Sequence, residues 1–376
     1  MKKLSIILFA LALGLVMTVP AMAIHVGDPD SPEGELGITG RYQFDGETRD
    51  IDGETQAFFD DDLDVAFKWG MGDVVAYVSL EMSDRTFAGS NGGSADSSAN
   101  KVPAVDNYYI QWQAMDALSV KIGEYGMSFG RNIATDGAGA SNIQLTYSLD
   151  ALDISGALTK NVEDGTVGDD DDNDEIILRL TAKEAGPFTK LSVISYTQMN
   201  DATTTENSYM GVDLALPIGP VDLAFEYGGN GGDLEGNFML LYVGLPDLGK
   251  IGINLAFFQS SDDYLAIYDG NDWSPVIIYG DNVNGEMLDT SAMWVEFTYD
   301  INDKLRVGAQ VLGMAENDAG DAWGTEIDLG LNYKIADNIS YKLAYGTYSQ
   351  GDATAAQLTA GDVDRTELFN RLEFLF

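Results

Sequence analysis

From Leu36 to its last residue the sequence repeats with a period of two, and no stretch of that region holds eighteen consecutive apolar residues. Leu36, Ile38, Gly40, Tyr42 and Phe44 alternate with Thr39, Arg41 and Gln43, and the ending repeats the pattern with Leu368, Leu372, Phe374 and Phe376 against Glu367, Arg371 and Glu373. Only a β-strand places every second side chain on one face, so this periodicity predicts strands and excludes a bundle of membrane-crossing helices. Two homes suit such strands: a soluble sandwich, or a barrel in a membrane.

The same alternation returns in pairs separated by turn residues. Residues 63–69 turn through 70–73 into 74–82, residues 108–112 turn at 115–117 into 118–122, and residues 143–149 turn at Asp150 and Ala151 into 152–158. Further pairs turn at 184–187, 217–220, Pro246, Ile301 and Ala336. These are hairpins. Longer connections rich in Asp, Ser, Gly and Asn separate the pairs: an acidic one after the first strand, then 83–106, 126–141, 160–174 and 259–289. The tally is about 18 strands of seven to twelve residues, with 16 as the alternative, near the length that tilted strands need to cross a bilayer.

The first residues set the compartment. Lys2 and Lys3 precede an apolar run over 4–19, and Ala21, Met22 and Ala23 give a small-x-small cleavage pattern. Residues 1–23 therefore read as a secretory signal peptide, 24–34 as a short polar lead with Pro29 and Pro32, and 35–376 as one structural unit. The chain has 61 acidic against 20 basic residues, a formal net charge of −41 that becomes −43 without Lys2 and Lys3. Nucleic acid, which needs a basic face, is excluded as a partner. There is no cysteine, so the exported chain holds together without disulfides.

A closed barrel accounts for these features better than a sandwich. Short and long connections alternate, and no continuous apolar run marks a strand buried on both faces. Aromatic residues group at strand ends: Trp69, Tyr299, Tyr333 and Phe376 toward the turns, and Phe44, Tyr108, Tyr227, Phe257 and Tyr345 toward the long connections. Two interfacial girdles are the expected reading. All nine prolines are expected outside the strands, where no ladder hydrogen bond is lost. The predicted fold class is all-β: a closed antiparallel transmembrane β-barrel with short periplasmic turns and long extracellular loops.

The signal peptide, the repeated hairpins and the ending Leu368, Phe369, Asn370, Arg371, Leu372, Glu373, Phe374, Leu375, Phe376 resemble those of Gram-negative outer-membrane porins. The resemblance extends over essentially the whole mature chain as a pattern. It implies a homotrimer surrounded by outer-membrane lipid and lipopolysaccharide, a C-terminal strand read by the barrel-assembly machinery, and passive diffusion of small hydrophilic solutes and ions. It also implies that the third long connection, here 126–141, folds into the pore.

Alternation assigns the candidate pore-lining side chains. Arg41, Lys68, Lys121 and Arg179 fall on the inward side of the first half with Glu81, while Asp213, Asp222, Glu226, Glu296, Glu326 and Asp328 fall inward on later strands. Arg131 lies on the third long connection. Two arrangements fit: a field across the lumen between a basic and an acidic arc, or local pairs that neutralise one another. Excess carboxylates in the connections, Asp60, Asp61 and Asp62 among them, favour cations electrostatically. Asp169, Asp170, Asp171, Asp172 and Asp174 form a candidate Ca²⁺ site or an ordinary solvated acidic run, since the stretch lacks the glycine and distal glutamate of an EF-hand loop.

The sequence does not read as an enzyme. Its one histidine, His25, precedes the first predicted strand, and there is no cysteine to activate. With about ten residues ahead of that strand, no plug domain is expected. The alternative to a porin is a structural or adhesive surface barrel with calcium-binding acidic loops.

Overall fold

A computed structural model of the chain describes residues 24–27, 34–51, 54–88, 104–126, 140–162, 173–200, 205–232, 236–245, 248–261, 290–316, 322–351 and 364–376. All the regular structure in them is β. A short strand β1 (Ile24–Gly27) is followed by β2 (Glu35–Ile51), β3 (Glu54–Met71), β4 (Val74–Ala88), β5 (Ala104–Met115), β6 (Leu118–Tyr125) and β7 (Ala140–Ser148). Next come β8 (Leu152–Val162), β9 (Asn173–Ala185), β10 (Phe188–Asn200), β11 (Thr205–Ile218), β12 (Val221–Gly232) and β13 (Asn237–Leu245). The series ends with β14 (Ile251–Ser260), β15 (Thr290–Asn302), β16 (Leu305–Glu316), β17 (Ala322–Ala336), β18 (Ile339–Gln350) and β19 (Arg365–Leu375).

Each strand from β2 onward pairs antiparallel with the next, and β19 returns to pair with β2, from Arg365 opposite Ile51 to Leu375 opposite Arg41. Phe376 completes the seam: its N–H donates to the Gly40 carbonyl at 2.9 Å and its carbonyl accepts from Gly40 at 2.6 Å. The result is a closed barrel of 18 strands. Closure gives each strand from β2 to β19 two neighbours, which removes the unpaired edges that an open sheet of this size would expose.

Chain reversal uses the glycines that tight turns require. Gly72, Gly186 and Gly219 have φ of 54°, 67° and 61° in the β3–β4, β9–β10 and β11–β12 turns, a region open to glycine at no steric cost.

Burial alternates along the strands as a barrel demands. Outward positions expose large apolar side chains, such as Leu178, Met210, Met293 and Leu329, while their chain neighbours are more covered. Trp69, Tyr299, Tyr333 and Phe376 are among the exposed aromatics at the turn end, with Tyr108, Tyr227, Phe257 and Tyr345 further along. Phe44 stacks on Phe59, ring centroids 5.8 Å apart.

Several sequence expectations need correction. The acidic stretch after the first strand is not a loop: β2 and β3 are 17 and 18 residues long and pair to Ile51 and Glu54, which places Asp60, Asp61 and Asp62 within β3. Strands overall run from 8 to 18 residues if β1 is set aside, longer than the predicted range. Charged residues break the apolar alternation beyond the aromatic positions, but ladder hydrogen bonds do not depend on side-chain polarity. Pro217 lies inside β11, opposite Asp222. The β10 pairing ends at Ala215, so a proline two residues on interrupts no β10 hydrogen bond. Finally, the lead begins with β1, where His25 faces Gly37 of β2.

Candidate pore and its inner wall

The barrel turns one face of every strand inward, so strand parity decides which side chains share the interior. Cross-strand pairs locate them. Arg41 is opposite Asp64, Asp64 opposite Glu81, Lys68 opposite Tyr77, and Asp213 opposite Glu226. Glu296 is opposite Gln310, which is opposite Asp328. Lys121, Arg179, Asp222 and Glu326 occupy the same face of their strands. Arg131 and four of the five candidate calcium ligands, Asp169 to Asp172, lie outside the described residues, and Asp174 is part of β9, opposite Lys160 and Met199. Among the described residues no group of three or more metal-ligating side chains converges.

Several inner-wall charges are paired locally. Arg41 reaches Asp64 at 2.6 Å and Asp62 at 3.2 Å, Lys183 reaches Asp153 at 2.6 Å, and Lys190 reaches Asp213 at 2.6 Å. Lys121 is handled differently. Its ammonium lies 3.9 Å from the Tyr109 ring centroid and 3.6 Å from that of Tyr125, and Tyr109 stacks in turn on Tyr77 at 5.0 Å. Aromatic faces carry negative quadrupole density, so the two rings hold the cation over the wall.

The seam between the last and first strands is charged on its inner side. Arg371 binds Asp45 through two nitrogens, Nε at 2.8 Å and an NH2 group at 2.6 Å. Toward the other end Arg49 pairs with Glu47 and lies 3.4 Å from Glu367, and Arg365 lies 2.7 Å from Glu367 and 3.7 Å from Glu47. Glu367 is fully buried within this box. Two arginines and two glutamates cancel formally, and each crosses the seam or is held by one that does.

Part of the wall is apolar. Tyr209, Phe238 and Phe258 stack in series at 6.4 and 6.3 Å, and Tyr242 stacks on Trp294 at 6.4 Å. Alternation alone assigns these to the inner face, but their aromatic character reads as a lipid-facing signal, which is why the sequence did not single them out. They are tied to the polar wall: Tyr242 donates to Asn254 at 2.8 Å, Asn254 donates to Glu296 at 2.6 Å, Trp294 donates to Gln310 at 3.2 Å and Gln310 donates to Asp328 at 2.8 Å. Two hydrogen-bonded chains thus orient two carboxylates at one level.

No family model and no curated protein matches the sequence. Solved structures do match. OccAB2 of Acinetobacter baumannii superposes with a TM-score of 0.63 at 13% identity, over 91% of this chain and 98% of that one. OccK5 (OpdH) of Pseudomonas aeruginosa gives 0.62 at 12%, over 91% and 98%, and OccK3 (OpdO) of the same species gives 0.60 at 15%, over 91% and 95%. The fold is that of an outer-membrane porin barrel. The likeness covers nearly the whole of both chains, and the apolar outer belt is the face that such a barrel presents to lipid.

Proposed function

We propose that this barrel is a water-filled channel of the outer membrane through which small hydrophilic solutes and ions diffuse passively, with a preference for cations. The observation that carries the reading is the division of the closed barrel into an apolar outer face and an inner face lined by Arg41, Lys68, Glu81, Lys121, Arg179, Asp213, Asp222, Glu226, Glu296, Glu326 and Asp328. A wet lumen explains why charged side chains occupy every quarter of the interior. The likeness to OccK5 and OccAB2 supports the channel reading at the level of fold.

Cation preference rests on the charge balance. The chain holds 61 carboxylates against 20 basic residues, and Arg41, Lys183 and Lys190 of the inner wall are spent on neighbouring aspartates. Fixed carboxylates raise the local concentration of cations and lower that of anions. In this orientation the tight turns face the periplasm. Planar-bilayer recordings across a KCl gradient test both statements. The expected result is a stable conductance with a reversal potential on the cation side, shifted toward zero in a Glu296→Gln, Asp328→Asn double variant. A non-conducting barrel, or one that selects chloride, overturns the proposal.

A further inference from the structure

The outer face of the seam has two gaps that the closing segment fills. On β2 every outward position from Ile38 to Thr48 carries a side chain except Gly40 and Gly46. The Phe376 ring lies over the first, where an added Cβ would overlap it, and the Phe376 main chain is bonded to Gly40 in both directions. The Asn370 amide lies over the second, where an added Cβ would again collide, and donates to the Gly46 carbonyl at 2.7 Å. Gly40 and Gly46 stand six positions apart, and so do Asn370 and Phe376. Two side chains thus meet two gaps at one spacing.

Few other registers are open to this seam. A slip of one residue would turn Leu368, Leu372 and Phe374 into the lumen and Glu367, Arg371 and Glu373 toward lipid, so the faces themselves forbid it. Slips of two keep the faces, and only local fit can reject them. One sets Phe376 on Tyr42 and Asn370 on Thr48; the other sets Phe376 on Ile38 and Asn370 on Phe44. Either way both side chains land on a residue with a Cβ. The second slip refills the gaps with Phe374 and Leu368, so what rejects it is the Asn370 amide, which loses the Gly46 carbonyl and is left over the Phe44 side chain on an apolar face. On the inner face either slip also parts Arg371 from Asp45. Register at the seam is the stagger of the closed barrel, and stagger is tied to strand tilt and diameter.

We propose that Gly40 and Gly46, read by Phe376 and Asn370, are a register gauge for closure that holds the barrel at one stagger and hence at one lumen width. The consequence for transport rests on the channel reading above; the gauge is a property of the seam alone.

The chain has no cysteine, so introduced pairs report register by disulfide trapping. Arg41→Cys with Leu375→Cys marks the observed register, in which the two stand opposite. Gln43→Cys with Leu375→Cys, and Arg41→Cys with Glu373→Cys, mark the two slips. Because Gly40 and Phe376 exchange both hydrogen bonds, positions 41 and 375 form a non-hydrogen-bonded pair with Cα atoms about 4.5 Å apart, within disulfide range. Denatured protein is refolded from urea into lipid vesicles, without assembly factors, and oxidised. In the otherwise unchanged chain the native pair should cross-link about tenfold or more over either slipped pair, as expected where one register alone satisfies a buried amide. Phe376→Ala with Asn370→Ala empties both gaps without adding a clash, and should erase most of that preference. Gly46→Asn alone should move cross-linking to a slipped pair or prevent closure, and adding Asn370→Gly, which transposes the amide to the other strand, should return it to the native pair. Arg371→Gln, which removes the inner ion pair instead, should leave most of the preference in place. Should the alanine chain give no folded band on unheated gels, the transposed chain decides. An undiminished preference in the alanine chain, an equal loss in Arg371→Gln, or a transposed chain that does not return to the native pair would overturn the gauge. Planar-bilayer conductance tests the channel reading separately, since a closed barrel that does not conduct would remove the link to transport and not the trapping result.

Discussion

At the scale of single residues, the barrel depends on places where a side chain is forbidden. Gly123 in β6 has a φ of 149°, and a Cβ added there would run into the Tyr108 carbonyl oxygen of β5. Gly211 and Gly228 leave room for the Tyr209 ring, which lies over both, and a Cβ at either would overlap its hydroxyl end. Gly123→Ala combines backbone strain with a backbone clash, so it is expected to destabilise by about 2–3 kcal/mol or more. Gly228→Ala meets only a side chain and should cost about 1–3 kcal/mol. Gly313→Ala, where nothing lies within 4 Å, is expected to stay near wild type. Urea titration of the barrel in lipid vesicles, followed by tryptophan fluorescence, would rank the three; a Gly313 variant as unstable as the Gly123 one would refute the steric account. The sequence shows these residues as glycines but cannot separate the constrained from the free, because the obstructing atoms belong to neighbouring strands.

At the scale of elements, the seam between β19 and β2 is where closure is decided. Residues 365–376 are legible as an amphipathic strand, and the parity of Leu368, Leu372 and Phe374 against Glu367, Arg371 and Glu373 gives both its faces. Its partner is β2, the strand that begins at Glu35, and the pairing runs from Arg41 to Ile51 with Phe376 on Gly40. The ionic box of Glu47, Arg49, Arg365 and Glu367 was not legible. Glu47 and Arg49 fall in the stretch whose acidity reads as a loop, and their partners across the seam lie more than three hundred residues away. Removing one partner of a buried ion pair leaves an uncompensated charge, which costs about 3–5 kcal/mol. Arg365→Ala is therefore expected to lower stability by that order, and Glu367→Gln in the same chain should recover part of the loss. Equilibrium unfolding of the single and double variants measures it, and simple additivity would show that the box is not a coupled unit.

At the scale of the whole molecule, closure makes the 18 strands interdependent. A chain ending before Arg365 would leave β18 and β2 without their shared neighbour, each with an unpaired edge. Such a truncation is expected to give no heat-modifiable folded band and no bilayer conductance; a folded, conducting product would show that β19 is dispensable. The sequence by itself determined the class of fold, the parity of most strands and the face on which Arg41, Lys121, Glu296 and Asp328 stand, because a period of two follows from strand geometry and is local. It also showed the excess of carboxylates, which is a property of composition. What only the tertiary structure decided is which charges meet. Arg41 on Asp64, Lys121 between two tyrosine rings, and Glu296 level with Asp328 all depend on register between strands. Register is set by ladder hydrogen bonds and turn geometry around the closed circle, and no single stretch of sequence contains it.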